Sequence, residues 1–174
     1  MDLLEERGAH FSPCRRWRYR LWIEWNQDRP VMLWLLLNPS TADEIANDPT
    51  VERCQRRAHA SGFGSVGIAN IFAWRSTDPA GLLATEDPVG PENDAAIIDM
   101  ATRADLIVCG WGKHGSLLGR GPAVEEMLRS RRAIRHKLHA LKLNADGSPR
   151  HPLYVGYEAK PVAWRKEAEF SVGT

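Results

Sequence analysis

Seven apolar residues run unbroken from Val31 to Leu37, and the run ends in Asn38-Pro39-Ser40-Thr41-Ala42-Asp43. Such a run predicts a strand buried on both faces, as in the interior of a parallel sheet. Three later segments repeat the pattern: Ser65 to Trp74, with Val66, Ile68, Ile71 and Phe72; Asp105 to Trp111, with Leu106-Ile107-Val108-Cys109; and Leu138 to Leu143. Arg18 to Trp25 alternates instead. Tyr19, Leu21, Ile23 and Trp25 share one face, Arg18, Arg20 and Glu24 the other, and Trp22 breaks the polar face. Alternation predicts a half-exposed strand. The turn Asn26-Gln27-Asp28-Arg29-Pro30 predicts that it forms a hairpin with the 31–37 strand.

Helices are predicted between these strands. Asp48 as N-cap and Pro49 at the first helical position open a helix over 51–61, and Gly62 closes it. Glu92 to Arg103 turns Ala96, Ile97 and Met100 inward, and Gly121 to Ile134 carries a stripe of Val124, Met127 and Leu128. Residues 78–91, rich in proline and glycine, predict a long ordered loop with one helical turn at most. Alternating strands and helices predict one α/β domain over residues 1–174. Its expected architecture is a three-layer α/β/α fold with a mostly parallel four-stranded central sheet and an N-terminal antiparallel hairpin strand. Residues 1–13 and 166–174 are expected to be poorly ordered, and no element is predicted in the polar tail from Gly156.

Composition narrows the function classes. With 43% hydrophobic residues the chain has apolar mass enough for a core. A formal charge of +1 gives no global argument for nucleic acid, so any such argument rests on local patches. Cys14, Cys54 and Cys109 are too few and too scattered for a disulfide framework or a cysteine-rich zinc site, which suits a reducing, cytoplasmic setting. Cys109, inside an apolar run, is expected to be a core residue. No signal-peptide layout, membrane-spanning run or internal repeat is visible, so no membrane partner is expected. His10, His59, His136 and His139 lack metal-ligand spacing. Gly62-Phe63-Gly64 and Gly119-Arg120-Gly121 form neither a P-loop nor a dinucleotide fingerprint. No metal and no cofactor are expected.

The ends of the parallel strands carry the candidate chemistry, because ligands of open α/β sheets bind beyond the strands' carboxyl ends. Strand one ends at Asn38, with Ser40, Asp43 and Asp48 beyond it; strand two carries Asn70 and then Arg75. Strand three ends at Trp111-Gly112-Lys113-His114, and strand four leads to Arg150-His151-Pro152. An Asn amide can hold a water or read the edge of a base, and a Trp can stack on one. His151 can donate to a developing anion. Arg75, Lys113 and Arg150 can contact phosphate. Together these are the parts of a nucleobase or nucleotide site. Each also has a structural reading: Asn70 as a hydrogen-bonding residue within its strand, Trp111 as core or rim, His114 as a solvent-facing turn residue, and Asp43 and Asp48 as helix caps. Arg15-Arg16-Trp17-Arg18-Tyr19-Arg20 mixes basic and aromatic residues, as a phosphate-contacting surface or a charged edge strand would.

Six segments in order resemble the bacterial and phage family of unknown function numbered 1643. They are Leu37 to Asp43, Asp48-Pro49-Thr50, Asn70 to Pro79, Asp87 to Asp94, Trp111-Gly112 and Pro149 to Tyr154, and the likeness spans roughly residues 18–164. Asn144-Ala145-Asp146 departs from it, standing where a threonine-lysine pair is expected. The order of Asn-Pro, Asn, Trp-Gly and His-Pro is also similar to the uracil-DNA glycosylase superfamily. That resemblance implies a water-positioning Asn38, a base-reading Asn70 and a His151 that steadies the leaving base, in an enzyme that hydrolyses an N-glycosidic bond without metal. This chain lacks the Asp before Pro39, the Tyr-His after it and the serine after His151-Pro152. The expected function is therefore an enzyme acting on a nucleobase, nucleotide or nucleic acid. The alternatives are a non-catalytic nucleic-acid-binding module and a small-molecule enzyme of another class. The oligomeric state is not legible.

Overall fold

A computed structural model describes residues 4–166. Its single sheet has seven strands, β1 (Glu6–Phe11), β2 (Arg18–Glu24), β3 (Val31–Leu36), β4 (Ser65–Asn70), β5 (Leu106–Cys109), β6 (Leu138–Ala140) and β7 (Val162–Ala163), in the order β1-β2-β4-β3-β5-β6-β7. The helices are α1 (Pro49–Ala60), α2 (Asn93–Arg103) and α3 (Arg120–Arg129). Neighbours from β4 to β6 pair parallel, and β1, β2 and β7 add antiparallel edges. The α/β class is as expected, but the sheet is larger than four strands plus one.

β3 explains why the chain needs helices on both faces. Leu33, Leu35 and Leu37 pack with Ile97 and Ala101 of α2 and Val124 and Leu128 of α3. Met32, Trp34 and Leu36, which alternate with them, pack with Val51, Cys54 and Ala58 of α1. An unbroken apolar run is what a strand covered on both faces requires.

Three expectations fail at the sheet's edge. β2 does not form a hairpin with β3; it pairs with β1 and β4, and β4 lies between β2 and β3. The turn after β2 is bonded to the start of β4: Trp25 and Asn26 both donate to the Gly64 carbonyl, at 2.9 and 3.0 Å, and the Gly64 N–H donates to Pro30. Residues 1–13 include an ordered strand, β1, along β2. Its Gly8 lies beneath Trp22, where a Cβ would come within 2.1 Å of the indole. Trp22, the residue that broke the polar face, thus covers a glycine of the neighbouring strand. The polar tail contributes β7, against β6. Most of the other expected terminus, 167–174, lies outside the described residues.

Boundaries shift elsewhere for local reasons. α1 starts where expected, with the Asp48 carboxylate accepting from the Val51 N–H, and Gly62 follows its last turn with positive φ. α3 stops at Arg129, short of Ile134, and Ser130 Oγ donates back to the Met127 carbonyl. The loop over 78–91 holds one short 3-10 turn at Pro79–Leu83.

Candidate functional site

α1 leads from β3 to β4 on one side, whereas β5, which follows β4 through α2, pairs on β3's other side. This reversal puts the topological switch point between β3 and β5, where open α/β sheets bind ligands. A cleft of about 750 Å³ lies at these carboxyl ends. Asn38 and Ser40 line it after β3, Ser76 and Thr77 after β4, Lys113 and His114 after β5, and Arg150 and His151 after β6. Asp48 and Thr50 line it from the start of α1.

The loop from Asn38 to Asp48 is held by buried polar groups. Arg18, wholly buried, donates from one terminal nitrogen to the Ala42 carbonyl at 2.9 Å and from the other to Asn70 Oδ1 at 3.1 Å. The Ala42 N–H in turn donates to Asp48 Oδ2 at 3.3 Å, and Asp48 Oδ1 caps α1. Burial lowers the Arg18 pKa to about 10, still far above neutral, so a cation sits under the loop, with the Asp48 carboxylate giving the largest opposing pull. Asn38 donates its amide N–H to the Ser76 carbonyl at 2.8 Å and to the Pro39 carbonyl at 3.2 Å. Its Oδ1 accepts no hydrogen bond among the described residues.

His151 is set by the segment that follows it. Its Nδ1 accepts from the Leu153 N–H at 3.3 Å, which leaves the proton of the neutral ring on Nε2. Burial lowers its pKa to about 4, against the opposing pull of Asp48, so the ring is neutral at pH 7. Two arginines of α1 anchor the segment. Arg53 donates to the carbonyls of Pro152 and Val155, and Arg57 to those of Val155, Gly156 and Ala159. Neither arginine was singled out in the sequence.

Several expected site residues lie elsewhere. Asn70 is 1% exposed, bonded to Arg18, and its carbonyl accepts from buried Asn93, so its amide cannot read a base. Arg75 does not line the cleft. Its guanidinium lies over Phe11 and donates to the Arg15 carbonyl, whereas Ser76, the next residue along the extended chain, faces the cleft. Asp43 accepts from the backbone N–H groups of Ile45 and Ala46, which hold its pKa below the usual carboxylate range, and it too lies outside the lining. Trp111 borders the cleft but is only 3% exposed. It stands edge-on to Trp164 and covers Gly115, where a Cβ would come within 2.2 Å of the ring. It is a wall, not a stacking platform. In the basic-aromatic segment, Arg18 is buried, Arg20 pairs with Asp99 and exposed Arg15 pairs with Glu44.

Thr50, Ser76, Thr77, Asn144 and Tyr154 line the cleft and were not singled out. Ser76 stands directly after Arg75, and strand alternation past Arg75 was the signal that could have found it. Cys54 and Cys109 are buried with thiol pKa values raised by desolvation. Among the described residues no three His, Cys, Asp or Glu side chains gather as a metal-holding group, and no helix is long and apolar enough to cross a membrane.

Residues 18–153 match the model of a family described as a protein of unknown function, DUF1643. No protein of curated function and no solved structure matches the chain.

Proposed function

We propose that this chain, which belongs to the DUF1643 family of proteins of unknown function, hydrolyses the N-glycosidic bond of a nucleotide-type substrate held in the β3/β5 cleft. The observation that carries the reading is a neutral His151 with its Nε2–H unspent, lining one cleft with Asp48 and Asn38. A cleft of about 750 Å³ lies within the range that encloses small ligands. Likeness to uracil-DNA glycosylases supports the reading through Asn38 and His151 alone, since Asn70 and Trp111 are spent on the core.

In this mechanism Asn38 Oδ1 holds a water near the sugar. The water oxygen bonds to C1′ as the C1′–N bond breaks, and the water's proton passes to the Asp48 carboxylate. The base leaves as an anion. It is steadied by the His151 Nε2–H, which costs little to reorganise because the ring is already neutral and fixed. A solvent proton then neutralises it.

The test is release of free base from a panel of nucleosides, nucleotides and single- and double-stranded oligonucleotides with ordinary and altered bases. Asn38→Ala and His151→Gln are each expected to slow release on the order of a hundredfold while the folded state persists. Variants that match the unmodified protein, or an unmodified protein that releases no base from any substrate, overturn the proposal.

A further inference from the structure

The cleft has two chemically different walls. Lys113 and His114 follow β5, and Arg150 lies beside Asn144 on the neighbouring loop after β6, whose Pro149 carbonyl accepts from the Gly112 N–H at 2.8 Å. Lys113 and His114 are exposed. Arg150 is half-buried, with its Nε donating to Asn144 Oδ1 at 3.1 Å and both terminal nitrogens left over. Among the described residues none of the three forms an ion pair with a carboxylate. Asp146 feels the field of Lys113, but its carboxylate is engaged by the Ser148 N–H and hydroxyl. Elsewhere many of the arginines are spent: Arg7, Arg15, Arg20, Arg56, Arg103, Arg120 and Arg129 reach carboxylates, and Arg53 and Arg57 reach carbonyls. The other wall offers neutral hydrogen-bonding groups, from Ser40, Thr50, Ser76 and Thr77, with Asp48 as its one carboxylate.

From this asymmetry we infer that Lys113, His114 and Arg150 form an anion subsite that takes the phosphate of a free nucleoside monophosphate, whose sugar lies toward Asp48 and the hydroxyl wall. The inference rests on the nucleotide reading of the cleft and adds the substrate class. Lys113 meets the phosphate as a point charge, and Arg150 offers a terminal N–H pair of the kind that grips two phosphate oxygens. A free nucleotide suits the site better than a polymer. A nucleic-acid strand needs a continuous basic track for successive phosphates, whereas the net charge is +1 and the guanidinium groups of Arg15 and Arg75 lie over Phe11.

The experiment is calorimetric titration at fixed salt of the unmodified protein, His151→Gln, Lys113→Ala and Arg150→Gln. The probes are the common ribo- and deoxyribonucleoside 5′-monophosphates, the matching nucleosides and a single-stranded oligonucleotide. At least one monophosphate is expected to bind about tenfold or more tightly than its nucleoside. Lys113→Ala and Arg150→Gln are each expected to remove about tenfold of that preference, the scale of one charge-assisted hydrogen bond, without weakening the nucleoside. Equal affinities for nucleotide and nucleoside, or an oligonucleotide that binds tighter than every monophosphate, overturn the subsite. Binding by His151→Gln keeps this test independent of hydrolysis. Phosphate-dependent binding without base release leaves the subsite standing and removes the glycosidic reaction. Base release indifferent to phosphate does the reverse, and no binding by any probe removes both.

Discussion

His151 shows how burial rather than partner charge can set a residue's chemistry. Outside the fold an imidazole titrates near 6.5; in the fold burial takes it to about 4. Between those values the unfolded chain binds the extra proton and the folded chain does not. Stability from this group is therefore fully present above pH 6.5 and is lost as pH falls toward 4, by at most about 3 kcal/mol. Urea midpoints measured from pH 6.5 down to 4 are expected to fall more steeply for the unmodified protein than for His151→Gln, and parallel slopes would sink this account. Arg18 and Asn70 are the converse case. Each carries a functional group that suits a binding site, yet each is used to tie the Asn38–Asp48 loop to the sheet. A buried guanidinium needs acceptors wherever it lies, and the Ala42 carbonyl and Asn70 Oδ1 are those acceptors.

At the scale of elements, α1 does more than cover one face of the sheet. Asp48, its N-cap, stands at the cleft, and one and two turns on, Arg53 and Arg57 clamp carbonyls of residues 152–159. Tyr157 lies over both guanidinium groups, at 4.3 and 5.1 Å. A 3-10 turn at Pro152–Tyr154 is too short to hold itself, so the orientation of His151 depends on the clamp. Arg57→Ala removes three charge-assisted bonds and is expected to cost about 2–4 kcal/mol. It is also expected to open the chain after Tyr154 and Tyr157 to chymotrypsin under native conditions. A variant of unchanged stability and unchanged cleavage pattern would show that the segment is held by its own packing.

Over the whole molecule, stability is expected to grade from the centre of the sheet outward. β3 and β4 are paired on both sides and buried on both faces, whereas β1 has one partner, half-exposed residues and a register shift between His10 and Phe11, and β7 has two residues, both exposed. Native-state hydrogen exchange should therefore find the slowest amides in β3, β4 and β5 and the fastest strand amides in β1 and β7. Equal protection of β1 and β3 would mean that the edge hairpin and the parallel core open as one unit. The same gradient places the cleft at the most rigid part of the sheet, with its walls built from loops.

The parallel core was legible because its signal is local: an unbroken apolar run such as Val31–Leu37 cannot satisfy itself except between two covering layers, and Asp48-Pro49 writes the start of α1 into the sequence. The strand-end rule then pointed to one edge, where Asn38, Ser40, Asp48, Trp111, Lys113, His114, Arg150 and His151 line the cleft, while Asp43, Asn70 and Arg75, chosen by the same rule, do not. The tertiary structure alone decided which strand β2 would join, because pairing is a choice among distant partners and here rests on bonds to Gly64 and Pro30. It decided that Gly8 would be strand, since Trp22 from the neighbouring strand covers it. It also decided that Asn70 and Trp111 belong to the core and Ser76 to the cleft. A polar residue type states what a side chain can bond to, and only packing determines which partner reaches it first.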